Sequence, residues 1–120
     1  MKKIISIIIL ILTIHCFSQE TISTDKVKDN LEKVVFVEGK VVSMRLASEG
    51  KNINYLNLDK KYPDNVFSVV ITNDYLVKLN ITLEDLKDKT IIVKGKISVY
   101  KNDPKQIPQI FNPESIEIKK

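Results

Sequence analysis

Tyrosines and lysines alternate along the chain, and this pattern is its clearest chemical signal. The residues are Tyr55, Tyr62, Tyr100, Lys60, Lys61 and Lys101. Aromatic faces stack on nucleobases, each stack contributing roughly 1 to 3 kcal/mol, while cations neutralise the phosphates between them. These residue types therefore favour a surface for single-stranded nucleic acid. The alternative is that Lys60 and Lys61 form a solvated turn and that Tyr62 packs beside Pro63.

The spacing of the acidic residues does not favour metal binding or acid-base catalysis. Asp59, Asp64 and Asp74 fit no calcium-loop spacing, and all three lie near expected turns, where Asp is favoured for backbone reasons. Glu84 and Asp85 stand near an expected helix start, where acidic residues complement the helix dipole. The sequence contains no Gly-rich phosphate loop. We therefore expect no catalytic residue, no cofactor and no metal site, and the protein is not predicted to be an enzyme.

The first 18 residues differ from everything that follows them. Lys2 and Lys3 precede an apolar run of 11 residues, Ile4 to Ile14. A membrane-spanning helix needs roughly 20 apolar residues, so this run has the size of a signal-peptide core. The segment Cys16-Phe17-Ser18 permits cleavage before Gln19. We expect residues 1–18 to be a signal peptide and residues 19–120 to be one exported domain, periplasmic or secreted.

Cys16 offers an alternative, because a lipid-modified cysteine would tether the mature protein to a membrane. His15 before the cleaved bond fits poorly with the small residue that lipoproteins have there. Cleavage after residue 18 removes two lysines and no acidic residue, which lowers the formal net charge from +4 to +2. It also leaves no Cys and no His. That excludes a disulfide scaffold, a Cys or His zinc site, a Cys nucleophile and a His-dependent triad.

The sequence of the mature chain predicts a helix, three strands, a second helix and two further strands, in that order. A helix is predicted over Ile22 to Leu31, and Leu76 to Leu86 carries a helical stripe with a break near Ile81 and a capping box from Thr82 to Asp85. Alternating apolar residues predict five strands. These are Val34 to Leu46, Ile53 to Leu58, Phe67 to Ile71, Thr90 to Tyr100, and Gln109 to Ile118, which is interrupted or bent at Pro113.

Two strands share a Gly-Lys pair. Val35 to Val41 reads V-F-V-E-G-K-V, and Ile91 to Ile97 reads I-I-V-K-G-K-I. A glycine inside a strand typically marks a bulge or a sharp bend. Gly39 and Gly95 therefore predict two long bent strands, as a small closed barrel requires. The alternative is that both glycines are merely exposed.

The order of these motifs resembles a known family. The segments of this chain that show the resemblance are V-E-G-K-V-V from Val37, Y-L-N-L from Tyr55, Y-P-D-N-V-F-S-V-V-I from Tyr62, L-K-D-K-T from Leu86, V-K-G-K-I from Val93 and P-Q-I from Pro108, followed by Pro113, Ile116 and Ile118. The chain is similar, over residues 22 to 118, to bacterial exported OB-fold domains described as binding nucleic acid (DNA). The resemblance implies a mainly β fold. It would be a five-stranded OB-fold barrel with a short leading helix and a helix between strands 3 and 4.

One loop departs from that family. Lys101 to Ile107 replaces the tight Gly-containing turn that the family tends to have. The loop often borders the ligand groove, so ligand choice is open at this point.

In an OB-fold, ligands bind on the face of strands 2 and 3. If Leu56 and Leu58 point inward, strand alternation turns Tyr55 and Asn57 onto that face. By the same rule Ser68 and Val70 point outward, while Phe67 and Phe111 are assigned to the core. The predicted nucleic-acid-binding residues are Arg45, Lys51, Tyr55, Asn57, Lys60, Lys61, Tyr62, Tyr100, Lys101 and Lys105.

The leading functional hypothesis is an exported, non-catalytic module that binds single-stranded nucleic acid. The alternative is an envelope scaffold that binds a protein partner, a saccharide or a small cationic ligand, since a fold does not fix a function. No stable membrane span is expected in the mature form. The near-neutral mature charge by itself favours no partner class.

Overall fold

The computed structural model describes residues 20–120, so the predicted signal peptide and Cys16 lie outside the described residues. Seven strands carry most of the regular structure: β1 (Thr21–Ser23), β2 (Val34–Arg45), β3 (Ile53–Leu58), β4 (Ser68–Thr72), β5 (Thr90–Val99), β6 (Pro108–Phe111) and β7 (Ser115–Ile118). One α-helix, α1 (Asn73–Leu79), follows β4. Two 3-10 helices cover Thr24–Asn30 and Leu83–Leu86.

Five strands pair in a closed ring. In order around the ring they are β2, β3, β4, β6 and β5, and β5 pairs again with β2. Only the β4–β6 pair of the ring is parallel. Outside the ring, β1 adds to β2 in parallel and β7 adds to β5 antiparallel. The prediction of a mainly β fold with five principal strands is confirmed, and the two flanking strands extend it.

The two Gly-Lys strands are the ones that change partners within the ring. Strand β2 pairs with β5 from Val34 to Lys40 and with β3 from Val41 onward, with a register shift just after Val41. Strand β5 pairs with β2 as far as Lys96 and with β6 from Ile97. Each exchange therefore falls two residues after a glycine.

Close approach explains why these two positions are glycines. A Cβ at Gly95 would lie 2.5 Å from Cγ2 of Ile110, inside van der Waals contact. A Cβ at Gly39 would lie 3.0 Å from both Leu58 Cβ and Thr24 Cγ2. A side chain at either position would push neighbouring elements apart where the strands change partners.

The hydrophobic core fills the ring. Its fully buried side chains come from every ring strand and from the segment just before β4: Val37, Val41, Leu56, Leu58, Phe67, Val69, Ile71, Ile91, Val93, Ile97 and Ile110. Val27 of the first 3-10 helix and Leu83 and Leu86 of the second belong to the same cluster. Burial of these apolar side chains is the main stabilising contribution to the fold.

The predicted leading helix is wrong in its first turn. Thr21–Ser23 is a strand, because Ile22 is buried opposite Val37 and the Phe36 amide donates to the Glu20 carbonyl at 3.1 Å. The remainder is a 3-10 helix rather than an α-helix. Pairing with β2 thus prevails over local helix propensity.

The break near Ile81 is confirmed, since α1 ends at Leu79 and the 3-10 helix begins at Leu83. The capping box is wrong, because Thr82 makes no side-chain cap hydrogen bond. The side-chain cap is at Thr72, whose hydroxyl accepts from the Tyr75 amide at 3.4 Å. Asn80 ends α1 in the left-handed conformation (φ 56°).

The predicted interruption of the last strand at Pro113 is confirmed, because the segment forms two strands, β6 and β7. Asn112 turns the chain with φ 44°, and its side-chain oxygen accepts from the Thr72 amide at 3.0 Å. The chain then leaves β4 and continues along β5, where β7 pairs with Ile91 to Lys94. Pro113 has no amide hydrogen to donate to a ladder, which suits the position between the strands.

Candidate binding groove

A groove of about 1030 Å³ runs across the outer face of the ring. Strands β2, β3, β4 and β6 form its floor. One rim is the loop between β3 and β4, and the other is the loop between β5 and β6. A neighbouring cavity of about 190 Å³ lies against the same two loops.

Strand alternation places the floor residues as predicted. Leu56 and Leu58 are fully buried in the core, whereas Tyr55 and Asn57 line the groove. On β4, Ser68 and Val70 line the groove from the opposite side of the strand to Val69. The prediction of which β3 and β4 side chains face outward is confirmed.

The structure brings seven of the ten predicted site residues into the groove. These are Arg45, Tyr55, Asn57, Lys61, Tyr62, Tyr100 and Lys105. Lys51, Lys60 and Lys101 are exposed in loops and do not line the groove. Participation of any of the ten in binding stays a prediction.

The predicted assignment of Phe111 to the hydrophobic core is wrong. It was expected in the core, but it is 51% exposed and lines the groove. Its neighbour Ile110 is fully buried and pairs with Val69, and adjacent strand residues face opposite sides. Alternation from Ile110 would have identified Phe111 as a groove residue, whereas its residue type alone suggested the core.

Four aromatic side chains therefore line the groove: Tyr55, Tyr62, Tyr100 and Phe111. Tyr62 is 75% exposed and Tyr100 58% exposed, so their rings are accessible to a ligand.

Cations lie beside two of these rings. The Arg45 Cζ lies 5.9 Å from the centre of the Tyr55 ring, and the Lys105 Nζ lies 5.8 Å from that of Tyr62. Lys105 Nζ also donates to the Pro63 carbonyl at 3.0 Å, which joins the two rims. Both contacts hold a positive charge against an aromatic face.

Four polar side chains cross the floor in a directed chain of hydrogen bonds, which we call the polar ladder: Asn65, Ser68, Asn57 and Ser43. Asn65 Nδ2 donates to Ser68 Oγ at 3.1 Å, and Ser68 Oγ donates to Asn57 Oδ1 at 2.8 Å. Asn57 Nδ2 then donates to Ser43 Oγ at 3.0 Å. The ladder fixes the rotamers of the floor and gives it polar character between the aromatic rings.

The groove carries a modest positive charge. Arg45, Lys61 and Lys105 line it, against one acidic residue, Asp103. The Asp103 carboxylate accepts from the backbone amides of Lys105 at 3.0 Å and Ile107 at 2.9 Å, so it shapes the β5–β6 loop. This is the loop that departs from the resembled family, and here it forms one rim.

Asp59 and Asp25, which lie outside the groove, accept hydrogen bonds within the fold. The Asp59 carboxylate accepts from the Lys40 amide at 2.8 Å and from the Thr24 hydroxyl at 2.5 Å. The Ser23 hydroxyl donates to the Asp25 carboxylate, which lowers the pKa of Asp25 below its usual value. Across residues 20–120, no three His, Cys, Asp or Glu side chains are grouped in a way that would hold a metal ion.

Comparison with solved structures shows the fold. The chain is similar to the crystal structure of yeast Stn1 and Ten1, with a TM-score of 0.60 at 16% identity over 87% of this chain and 64% of that one. It is similar to OBody AM3L15 bound to hen egg-white lysozyme, with a TM-score of 0.59 at 17% identity, covering 85% of this chain and 95% of the OBody.

An aspartyl-tRNA synthetase of Leishmania major Friedlin matches with a TM-score of 0.54 at 11% identity. The match covers 85% of this chain but only 21% of the synthetase. No protein-family model matches the sequence. No curated protein matches it either.

At these identities the likeness shows the fold alone, which is that of OB-fold domains. The described part of the chain has no helix with the length and apolarity needed to cross a lipid bilayer.

Proposed function

We propose that the protein binds single-stranded nucleic acid in the groove. The proposal rests on one observation: four aromatic side chains, three of them exposed, and three cations line the same groove. Bases stack on Tyr55, Tyr62, Tyr100 and Phe111, while the cations neutralise the phosphates. The polar ladder lies beneath the bases. Structural likeness to a tRNA synthetase and to Stn1 and Ten1 supports this reading at the level of the fold.

A protein partner is the second candidate. The OBodies share the fold and are bound to lysozyme, so a domain of this shape can hold a protein. The groove also has a strong apolar contribution from Met44, Ile53, Val70 and Ile107. Aromatic-rich concave surfaces of this kind suit protein contacts as well.

We also propose that the protein is exported and non-catalytic, as the sequence predicts. Residues 1–18 act as a signal peptide, and the mature protein, residues 19–120, is a single exported domain without catalytic activity. Its five-strand ring is an OB-fold barrel that serves as a rigid support for the groove.

Fluorescence anisotropy of labelled oligonucleotides with residues 19–120 tests nucleic-acid binding. Three groove cations predict a log K against log salt slope no steeper than about −2, at about −0.7 per phosphate contact. We expect measurable binding at low salt that weakens as salt rises. Absence of binding at low salt by the folded protein would contradict the proposal and favour a protein partner.

A matched pair of variants separates the groove from the rest of the surface. Tyr62→Ala with Tyr100→Ala removes two exposed rings from the groove and is expected to lower affinity by at least tenfold. Val77→Ala with Leu46→Ala removes exposed apolar side chains elsewhere, 81% and 51% exposed. This control is expected to leave affinity unchanged. Equal losses in the two variants would mean that binding does not use the groove.

A further inference from the structure

Two rows of side chains cross the floor of the groove from strand to strand. Cross-strand pairing defines them, and along each of the four floor strands the two rows are two residues apart. All of these side chains line the groove. The aromatic row is Arg45, Tyr55, Val70 and Phe111, and the polar row is Ser43, Asn57, Ser68 and Gln109.

Two of the three groove cations lie beyond the polar row. Lys61 and Lys105 belong to the two rim loops, and both loops join the floor strands on the side of the polar row. From the aromatic row toward the rims, the surface therefore changes from rings to uncharged polar groups to ammonium groups. A nucleotide links its base, sugar and phosphate in the same order. A base stacked on Tyr55 or Phe111, with its phosphate near the lysines, would bring its sugar to the polar row.

The two ends of the polar row are open to a ligand. Ser43 and Gln109 are half-buried and line the groove, whereas Asn57 and Ser68 between them are only 6% exposed. The hydrogen bonds of the polar ladder do not include Gln109. Its side-chain amide therefore has both a donor and an acceptor to offer to a ligand.

A hydroxyl group is the partner that suits Ser43. Its Oγ lies 3.0 Å from the Asn57 side-chain nitrogen. When Asn57 donates to Ser43, the Ser43 hydrogen is left to donate; with the Asn57 amide turned over, Ser43 donates and its oxygen is left to accept. The ribose 2′-hydroxyl is both a donor and an acceptor, so it pairs with Ser43 in either arrangement. Deoxyribose has no polar group at that position.

We propose that the groove prefers RNA to DNA because ribose 2′-hydroxyls contact Ser43 and Gln109, an inference that rests on the proposed function. The 2′-hydroxyl is the group by which a protein distinguishes RNA from DNA at a given site. Bound DNA would cover the same polar side chains without giving them a partner, which weakens its binding. The two contacts are three strands apart, roughly 14 Å along the sheet, so they serve different nucleotides.

Oligonucleotides of equal length that differ only in the sugar test this preference by fluorescence anisotropy at low salt. Oligo(rU) and oligo(dU) share the base and the phosphate. We expect oligo(rU) to bind roughly tenfold more tightly, the size of two net hydrogen bonds. Oligouridine with 2′-fluoro sugars keeps the sugar pucker of RNA without the hydroxyl, and it should bind as weakly as oligo(dU). Binding as tight as that of oligo(rU) would attribute the preference to sugar shape and overturn the hydroxyl contacts.

Matched variants assign the preference to the polar row. Gln109→Met keeps the length of the side chain and should lower the preference to roughly threefold, the effect of losing one of the two contacts. Adding Ser43→Ala should bring oligo(rU) and oligo(dU) to equal affinity while the protein still binds both. Ser98→Ala is the control and should keep the preference, because Ser98 pairs with Gln109 but does not line the groove. Thermal melting followed by circular dichroism checks that the variants fold.

The outcomes separate this inference from the proposed function. Binding of neither oligonucleotide by the wild-type protein at low salt overturns the proposed function. Equal affinity for both, or tighter binding of oligo(dU), overturns only the preference for RNA. A preference that persists in the folded double variant overturns the assignment to Ser43 and Gln109 and leaves the groove as the binding surface.

Discussion

Phe67 and Phe111 differ in what their rings contact. Phe67 is fully buried in the core, and Phe111 is 51% exposed on the groove floor. Phe67→Ala should lower the free energy of unfolding by about 3 to 5 kcal/mol, because it opens a cavity in the core. Phe111→Ala should cost stability much less. Urea unfolding measures both.

Binding should show the reverse order. Phe111→Ala is expected to lower the affinity for single-stranded oligonucleotides by roughly 1 to 3 kcal/mol, the contribution of one stacked base. Anisotropy titration at low salt measures the loss. Unchanged affinity in a folded Phe111→Ala protein would remove this ring from the proposed interface.

For single residues, alternation along a strand predicted which side chains face the groove better than residue type did. It placed Tyr55, Asn57 and Ser68 on the groove floor. Residue type misplaced Phe111. The contact between Lys105 and Pro63 was beyond sequence reasoning, because it joins two loops 42 positions apart in the chain.

At the scale of elements, the start of α1 offers a matched test of two threonines. Thr72 accepts from the Tyr75 amide, whereas the exposed Thr82 makes no side-chain cap bond to its 3-10 helix. Thr72→Ala should lower the free energy of unfolding by about 1 kcal/mol, and Thr82→Ala by less than about 0.5 kcal/mol. Chemical denaturation measures both, and equal effects would contradict the assignment of the cap.

Strand β5 changes partners just after Gly95, so we expect a side chain at this position to lower the free energy of unfolding. Gly95→Ala places a Cβ 2.5 Å from Ile110 Cγ2, and the overpacking should cost about 1 to 3 kcal/mol of unfolding free energy. The expected signature is a lower urea midpoint with an unchanged m-value.

Gly50→Ala provides the comparison. Gly50 has φ +80° and nothing within 4 Å of an added Cβ, so only backbone strain opposes the substitution there. We expect a cost of about 1 kcal/mol. A smaller effect at Gly95 than at Gly50 would mean that Ile110 moves aside readily.

The ring strands were predictable because each carries its own alternation of buried and outward residues. Strand β3 matches the predicted bounds, Ile53 to Leu58. Strand β7 lies within the last predicted strand, Gln109 to Ile118. Strand β1 was not predicted, since it has three residues and is defined by its pairing with β2. So short a segment holds too little pattern to separate a strand from the start of a helix.

For the whole molecule, the N-terminus of the mature protein is a prediction that mass spectrometry checks. Cleavage after Ser18 gives an intact mass for residues 19–120 with no cysteine. A heavier species that begins at Cys16 and carries acyl chains would contradict this and indicate membrane anchoring.

The β2–β5 pairing joins residues about 50 to 60 positions apart, and β6, which completes the ring, ends only at Phe111. Local hairpins can form early, but the interior cannot be sealed until nearly the entire polypeptide has left the ribosome. Contacts of such large sequence separation slow folding. We therefore expect a fragment that ends before β6 to leave its apolar side chains open to water and to other copies of the chain, and to aggregate or be degraded.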